Sequence, residues 1–283
     1  MPPRQGRIYV LYHASCADGF GAAYAAWKKL GSQAKYIPVS YHEYLPDMRE
    51  NSEVYILDLS YPRDVLIDLN ARMKKVIVLD HHKTAQENLR GLVFAKFDME
   101  KSGAVLAWEY FHPDKEVPIL LEYVQDRDLW QWNLLNSQEV NDLIWSYDRT
   151  FEEWQKLEEE IHYACGPDFY SVVLRGEAIM KFRKQQTKSI VASAYLTEID
   201  GHKVPVVNTN QNVSEVCHLL LDEFPNSPFS AAFFELEKGT WVVSLRSRGD
   251  FDVSEVAKAN GGGGHKAASG FHIKGKNVLE DKE

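Results

Sequence analysis

The chain has 283 residues, 45% of them hydrophobic and 26% charged, enough for one large domain or two ordinary ones, each with a substantial core. Its 32 basic and 41 acidic residues give a net charge of −9, which argues against a protein that holds long nucleic acid by bulk phosphate neutralisation. Short nucleotides, small anions and metal-bridged phosphates stay open, because a bound metal supplies positive charge locally. Three widely spaced cysteines, Cys16, Cys165 and Cys217, make no disulfide framework and point to a reducing compartment. The first residues hold too short an apolar run for a signal peptide, and no stretch approaches the ~20 apolar residues of a membrane span. The expectation is a cytoplasmic protein with no membrane partner.

In chain order, "RIYVLYH" (7–13) reads as a strand and "GFGAAYAAWKKLG" (19–31) as a helix closed by Gly31. "EVYILDLS" (53–60) is a second buried strand, and "PRDVLIDLNARM" (62–73) a helix with Pro62 near its start. "KKVIVLDHH" is the third strand, "GLVFAKFD" (91–98) a fourth, and "SGAVLAWEYF" (102–111) a helix that Ser102 caps. Strands alternating with helices, each strand nearly continuous in apolar residues, predict a parallel sheet covered on both faces. From about 115 to 195 the pattern is helical, with charged amphipathic segments. Strand patterns return at 202–209, 230–247 and 270–274, with short helices at "VSEVCHLLLDEF" and "DVSEVAKAN" between them. The fold class is α/β: residues 1–195 form a parallel-sheet domain with a helical linker, and 196–283 a smaller α+β domain.

The acids and histidines fall at one end of each predicted strand. The first runs into His13, Cys16 and Asp18, the second ends at Asp58, and the third at Asp80, His81 and His82. Ligands of open parallel sheets bind in the crevice beyond the carboxyl ends of the strands. Taken singly, Asp18 also reads as a helix cap and Asp58 as an Asx-turn. Three strands delivering carboxylate and imidazole to one edge point instead to metal-assisted hydrolysis. Mixed oxygen and nitrogen donors favour Mn, Fe, Zn or Co over Mg or Ca. Two metals ~3.5–4 Å apart can share a carboxylate and clamp a phosphoryl group, and Asp58, alone on the middle segment, is the natural bridge. Asp126 and Asp128 interrupt an apolar run in "EYVQDRDLWQW"; they read either as a further metal ligand or as a salt bridge through Arg127.

A second signal lies in "VSLRSRGDFDVSEVAKANGGGGHKAASGF" (243–271). Four glycines, among them Gly263 and Gly264, precede His265 and Lys266, so that backbone N–H groups can approach a phosphate. The run also reads as a flexible turn. Arg246 and Arg248, two apart on a predicted strand, share a face and suit bidentate recognition of phosphate.

"HASCADG", "LDLS", "LDHH", "QDRD" and "SLRSRGDFDVSEVAKANGGGGHKAASG", in this order, resemble the motifs of the DHH phosphoesterase superfamily with a C-terminal DHHA1 domain, in its oligoribonuclease-like branch. The resemblance covers nearly the whole chain. It implies two α/β domains joined by a helical linker, with catalysis by one or two Mn2+ ions in the cleft between them, Co2+ and Mg2+ being alternatives. It further implies His13, Cys16 and Asp58 as ligands of one metal, and Asp58, Asp18, His81 and Asp126 as ligands of the second. His82 would face the phosphate, with Asp80 as the carboxylate orienting a histidine. Arg246, Gly263, Gly264 and His265 would grip the substrate. Cys16 is the departure, since the family commonly has aspartate there; a thiolate suits Mn less well than a carboxylate does, and a small buried hydrophobe is the other reading of this residue. The expected function is a metal-dependent phosphodiesterase acting on short oligonucleotides or similar small diesters. A phosphomonoesterase on bisphosphorylated nucleosides, a phosphodiesterase on a non-nucleotide diester and a non-catalytic nucleotide sensor are the alternatives. A homodimer stays open.

Overall fold

The computed structural model describes residues 7–275 apart from 15, 41–42 and 164–166; Ser15 of the first motif, Cys165 and residues 276–283 lie outside them. The first five strands are β1 (Ile8–His13), β2 (Ala34–Val39), β3 (Glu53–Leu57), β4 (Lys75–Asp80) and β5 (Ala95–Phe97). They form one sheet in the order β2-β1-β3-β4-β5, every pairing parallel. Alternation along each strand divides the core between the two faces. Tyr9 and Leu11, Val54 and Ile56, and Val76 and Val78 pack with α2 (Arg63–Arg72) on one side. Val10, Leu57 and Leu79 pack on the other side with α1 (Ala17–Leu30), α4 (Gly103–Phe111), α5 (Ile119–Asp128) and α7 (Phe151–Tyr163). A period of two on buried strands explains why the segments read as unbroken apolar runs. Completely buried Trp154 of α7 meets Phe20 of α1 edge to face at 4.9 Å, a geometry aromatic pairs favour.

Strand order reverses between β1 and β3, so the crevice where ligands of such sheets collect opens at the carboxyl ends of these two strands. A sharp exit from β3 marks this place: Asp58 has φ of 56°, a left-handed conformation uncommon outside glycine and stored most often at functional sites. The remaining elements of this half are α3 (Lys83–Asn88), α6 (Ser137–Ser146) and the long α8 (Pro167–Val191).

The chain divides into two compact units between Met180 and Lys181, inside α8, where the sequence pattern suggests residue 195. A helix running through the division hides it from any signal based on the last helical residue. The second unit holds β6 (Tyr195–Ile199), β7 (His202–Asn208), α9 (Val213–Glu223), β8 (Phe229–Glu237), β9 (Thr240–Ser247), α10 (Val253–Ala259), β10 (Gly263–Gly264) and β11 (Ala268–Lys274). Its sheet, ordered β10-β11-β9-β8-β7-β6, is mixed: only β7 and β8 pair in parallel. The whole is α/β, as the sequence predicts. No helix among the described residues is long and apolar enough to cross a membrane.

Candidate metal centre

Beyond the strand ends of the first unit, side chains from four segments converge into groups of three whose ligand atoms lie within 4.8 Å of one another. His13, Cys16 and Asp58 form one group; Asp18, His81 and Asp128 form another. In the first, His13 Nδ1 lies 3.1 Å from Cys16 Sγ and 3.5 Å from Asp58 Oδ2. In the second, His81 Nε2 lies 3.5 Å from Asp18 Oδ2 and 3.5 Å from Asp128 Oδ2. Asp58 reaches both, its Oδ2 toward His13 and Cys16 and its Oδ1 3.2 Å from His81 Nε2. A third group, Asp58, Asp80 and His82, has a structural explanation. Asp80 Oδ1 accepts the His82 ring N–H at 2.6 Å and the His81 amide at 2.8 Å, while Oδ2 accepts the Ser60 hydroxyl at 2.6 Å. Its lone pairs are spent on holding His82, which leaves Nε2 as that ring's outward atom.

The supports come from backbone that sequence reasoning does not see. Both oxygens of Asp18 accept amides at the start of α4, from Gly103 at 2.6 Å and from Ala104 at 2.9 Å. A helix N-terminus is the place for a carboxylate. Gly103 is required there, because a Cβ would stand 2.5 Å from Asp58 Cβ and 2.9 Å from Asp18 Oδ2. Ser102 caps α4 through its hydroxyl, as predicted, and its own amide donates to Gln125 Oε1 at 3.0 Å, tying α4 to α5. The small-residue start of that helix is the only sequence signal that could have revealed this cradle.

Asp126 is corrected by the geometry. It is buried, but its carboxylate accepts the amides of Asn133 at 2.8 Å and Leu134 at 3.3 Å, closing the loop after α5. Asp128, whose side chain is 31% exposed, is the acid beside His81. Two residues apart on a helix lie ~200° apart around its axis, so only one of this pair can face the sheet edge.

The electrostatics describe a centre with an excess of buried acid. Burial raises the Asp18 carboxyl, and the charges of Asp58 and Asp128 carry it further, well above the usual carboxylate range. Burial acts the same way on Asp58, but hydrogen bonds from His13 and His81 and their charge hold it well below that range. Burial works against a charge on His81, yet the Asp58 hydrogen bond and the Asp128 and Asp18 carboxylates push it up to about 11. The same contest at His82 is won by Asp80, which raises it. Buried carboxylates are costly unless paired or metal-bound. Here the pairing falls to imidazolium rings whose protons a bound cation would displace. Nitrogen, oxygen and sulfur donors in two sets of three, with Asp58 of the first set also reaching His81 of the second, could hold divalent metal ions.

The residues predicted to grip substrate lie in the second unit. Arg246 and Arg248 do share a face, both turned toward α9. Arg246 Nη2 donates to Ser214 Oγ at 3.0 Å; Arg248 donates to the His218 carbonyl at 3.0 Å and pairs with Asp222. Ser214, His218 and Asp222 recur every four residues along one side of that helix. The glycine run has structural duties as well. The Gly261 and Gly262 amides close α10 by donating to the Lys258 and Ala257 carbonyls, and the His265 amide donates to Ala268, so three amides of the loop are committed within the fold. Gly263 and Gly264 form β10 against β11, and a Cβ on Gly264, at φ +140°, would stand 2.6 Å from the Ala268 carbonyl oxygen. Close packing of β10 on β11 is thus one reason for glycine here.

With this geometry in place, comparison with known proteins settles the family. Residues 202–282 match the DHHA1 domain model. The chain is 33% identical over 290 residues to the uncharacterized protein R106 of Acanthamoeba polyphaga mimivirus, covering 94% of this chain and 67% of that one. It is 26% identical over 301 residues to the oligoribonuclease NrnB of Bacillus subtilis (strain 168), covering 94% and 73%. Among solved structures, the pGpG-specific phosphodiesterase PggH of a Vibrio species superposes with a TM-score of 0.49 at 17% identity, over 95% of this chain and 93% of that one. The chain belongs to the DHH phosphoesterase superfamily, in the branch that carries a DHHA1 domain. It is a member of a family of hydrolases of phosphoric ester bonds.

Proposed function

We propose that this chain is a divalent-metal phosphodiesterase of short oligonucleotides. The observation that carries this reading is Asp58, a buried carboxylate whose two oxygens face two different sets of donors. Kinship with a protein named an oligoribonuclease supports the substrate class, and the net charge of −9 favours short substrates over long ones.

In this reading Asp18, Asp58, His81 and Asp128 hold an ion of the Mn type, and His13, Cys16 and Asp58 hold the other. Bound there, the ions would supply Lewis acidity toward a phosphoryl group. The residues of the chain do the rest. α4 fixes the Asp18 carboxylate by two amides. Ser60 holds Asp80, and Asp80 accepts the His82 Nδ1 proton, which fixes the ring; protonated at both nitrogens, the ring would present Nε2–H as a donor to a phosphate oxygen. Arg246 and His265 with the Gly263–Gly264 strand serve the substrate, in the second unit, whose DHHA1 match spans residues 202–282. Free Cys16 and Cys217 favour a reducing, cytoplasmic setting.

The test is a hydrolysis panel on the purified full chain, stripped by chelator and reloaded with Mn2+, Co2+, Mg2+ or Ca2+. Oligoribonucleotides of two to five residues should be cut fastest, with Mn2+ or Co2+ restoring most activity and Ca2+ least. Hydrolysis confined to bisphosphorylated nucleosides or to a non-nucleotide diester would replace the substrate class. Silence on every phosphate ester would leave a nucleotide-binding protein.

A further inference from the structure

The two sets of donors are chemically unequal, and the difference lies in one atom, the sulfur of Cys16. Its surroundings make an ordinary structural cysteine a poor account of it. Cys16 occupies the N-cap of α1, where its Sγ accepts the Gly19 amide at 3.1 Å. Serine, threonine, aspartate and asparagine cap helices well and cysteine is not among the preferred residues, so capping alone does not call for sulfur. The same Sγ lies 3.1 Å from His13 Nδ1, and the thiol donates to Asp58 Oδ2 at 3.4 Å. With the 3.5 Å between His13 Nδ1 and Asp58 Oδ2, nitrogen, sulfur and oxygen form a triangle with edges of 3.1, 3.4 and 3.5 Å.

That triangle has the size of one face of a metal tetrahedron. Bonds of ~2.0 Å to nitrogen and oxygen and ~2.3 Å to sulfur, at tetrahedral angles, put the three donors ~3.3–3.6 Å apart. Only a few tenths of an ångström separate the existing arrangement from a ligated one. A fourth position is then left for substrate or water, as in sites that work on a substrate. The backbone favours the anionic form of the sulfur once a cation arrives, since the amide of Gly19 and the first turn of α1 both face it. Thiolate and imidazole select zinc, ferrous and cobaltous ions, while carboxylate and water suit Mn. The other set, Asp18, His81 and Asp128, has two oxygens and one nitrogen and no sulfur.

We infer that His13, Cys16 and Asp58 form a mixed nitrogen, sulfur and oxygen site for a thiophilic divalent ion, so that the centre pairs unlike metals across Asp58. The inference rests on the reading of this cluster as a metal centre. Coordination forms a metal–sulfur bond and releases the thiol proton to solvent, with no change of oxidation state. The full chain therefore differs from an all-oxygen and nitrogen centre in what it retains when several metals compete.

The test uses the chelator-stripped full chain and cobalt as a spectroscopic probe. Cobalt bound through sulfur gives a strong near-ultraviolet charge-transfer absorption that oxygen and nitrogen ligands do not give. Wild type should develop that band, zinc should abolish it by displacement, and Mn should leave it in place. Cys16→Ser should lack it and lose zinc affinity by more than the ~10–100-fold typical of removing an outer-shell partner. Cys16→Asp, the second variant, should also lack the band while its affinity for Mn rises relative to zinc. Absence of the band in folded wild type overturns the inference, as does a band that survives in Cys16→Ser, because its sulfur would then be Cys165 or Cys217. Hydrolysis with Mn but no band defeats this inference alone. A band without hydrolysis of any phosphate ester defeats the proposed function alone.

Discussion

The two sheets of this protein handle charge in opposite ways, and strand direction is the reason. In the first unit every strand runs the same way, so β1, β3 and β4 deliver His13, Asp58, Asp80, His81 and His82 to one edge. Among the described residues the resulting excess of carboxylate is balanced chiefly by imidazole, with Arg127 adding its charge at Asp128. In the second unit only one pairing is parallel, so strand ends alternate, and its arginines reach sideways to α9, where Ser214, His218 and Asp222 receive them. A parallel sheet gathers reactive groups at one edge; a mixed one spreads them and satisfies them locally. The first edge gathers donors that could hold a cation, while the second offers cations that are already positioned.

The largest effect should come from the shared carboxylate. Asp58→Asn keeps the shape but removes the charge that both donor sets use, and turnover should fall at least ~100-fold, beyond what loss of an outer-shell partner costs, with circular dichroism unchanged. Retained turnover would erase the contrast between the two edges. Gly103→Ala comes next, because its Cβ would meet Asp58 Cβ at 2.5 Å. It should weaken metal binding ~10–100-fold and destabilise the fold by about 1–3 kcal/mol, read by metal titration and denaturant melts. Normal metal affinity would show that the start of α4 is not a cradle.

Arg246→Ala should behave differently from both. It removes a cation of the second unit, so metal content should be normal while KM for a short oligonucleotide rises about tenfold, ~1.4 kcal/mol in the binding of substrate. Loss of metal in this variant would move Arg246 into the first unit's chemistry.

The smallest effect is a pH dependence within the second unit. Burial, helped by the charges of Arg248 and Arg246, depresses His218 to about 4, below its unfolded value of ~6.5. The unfolded chain therefore takes up the proton first. The stability at stake is present above pH ~6.5 and is lost as the pH falls toward 4. His218→Gln should lose about 1 kcal/mol less than wild type between pH 7 and pH 5, a figure discounted because the ring is only partly buried. Denaturant melts at both pH values would check it, and equal losses would contradict it.

How much of this was legible depended on whether the information is local. β1, β3, β4, α1, α2 and α4 follow from apolar runs and from the Ser102 cap, and on or beside them lie seven of the eight acids, histidines and cysteine expected in the centre. β2 was missed because Pro38 and half-exposed residues disguise an edge strand. β5 is only Ala95–Phe97, since the apolar residues before it lie in a turn. β10 exists only through its pairing with β11, which no two glycines announce. Asp126 and Asp128 are equally visible as acids in an apolar run, but the docking of α5 decides which one faces the sheet edge. The bond from Asp18 to α4 joins residues 85 apart, and local pattern contains nothing of it.

The central claim is that one buried carboxylate, Asp58, serves two metal positions in the first unit. Metal content per chain, measured by elemental analysis after stripping, reloading and gel filtration of the full-length protein, tests it most directly. Wild type should hold two ions and Asp58→Asn at most one, both remaining folded. Two ions retained by Asp58→Asn, or none bound by folded wild type, would contradict the account.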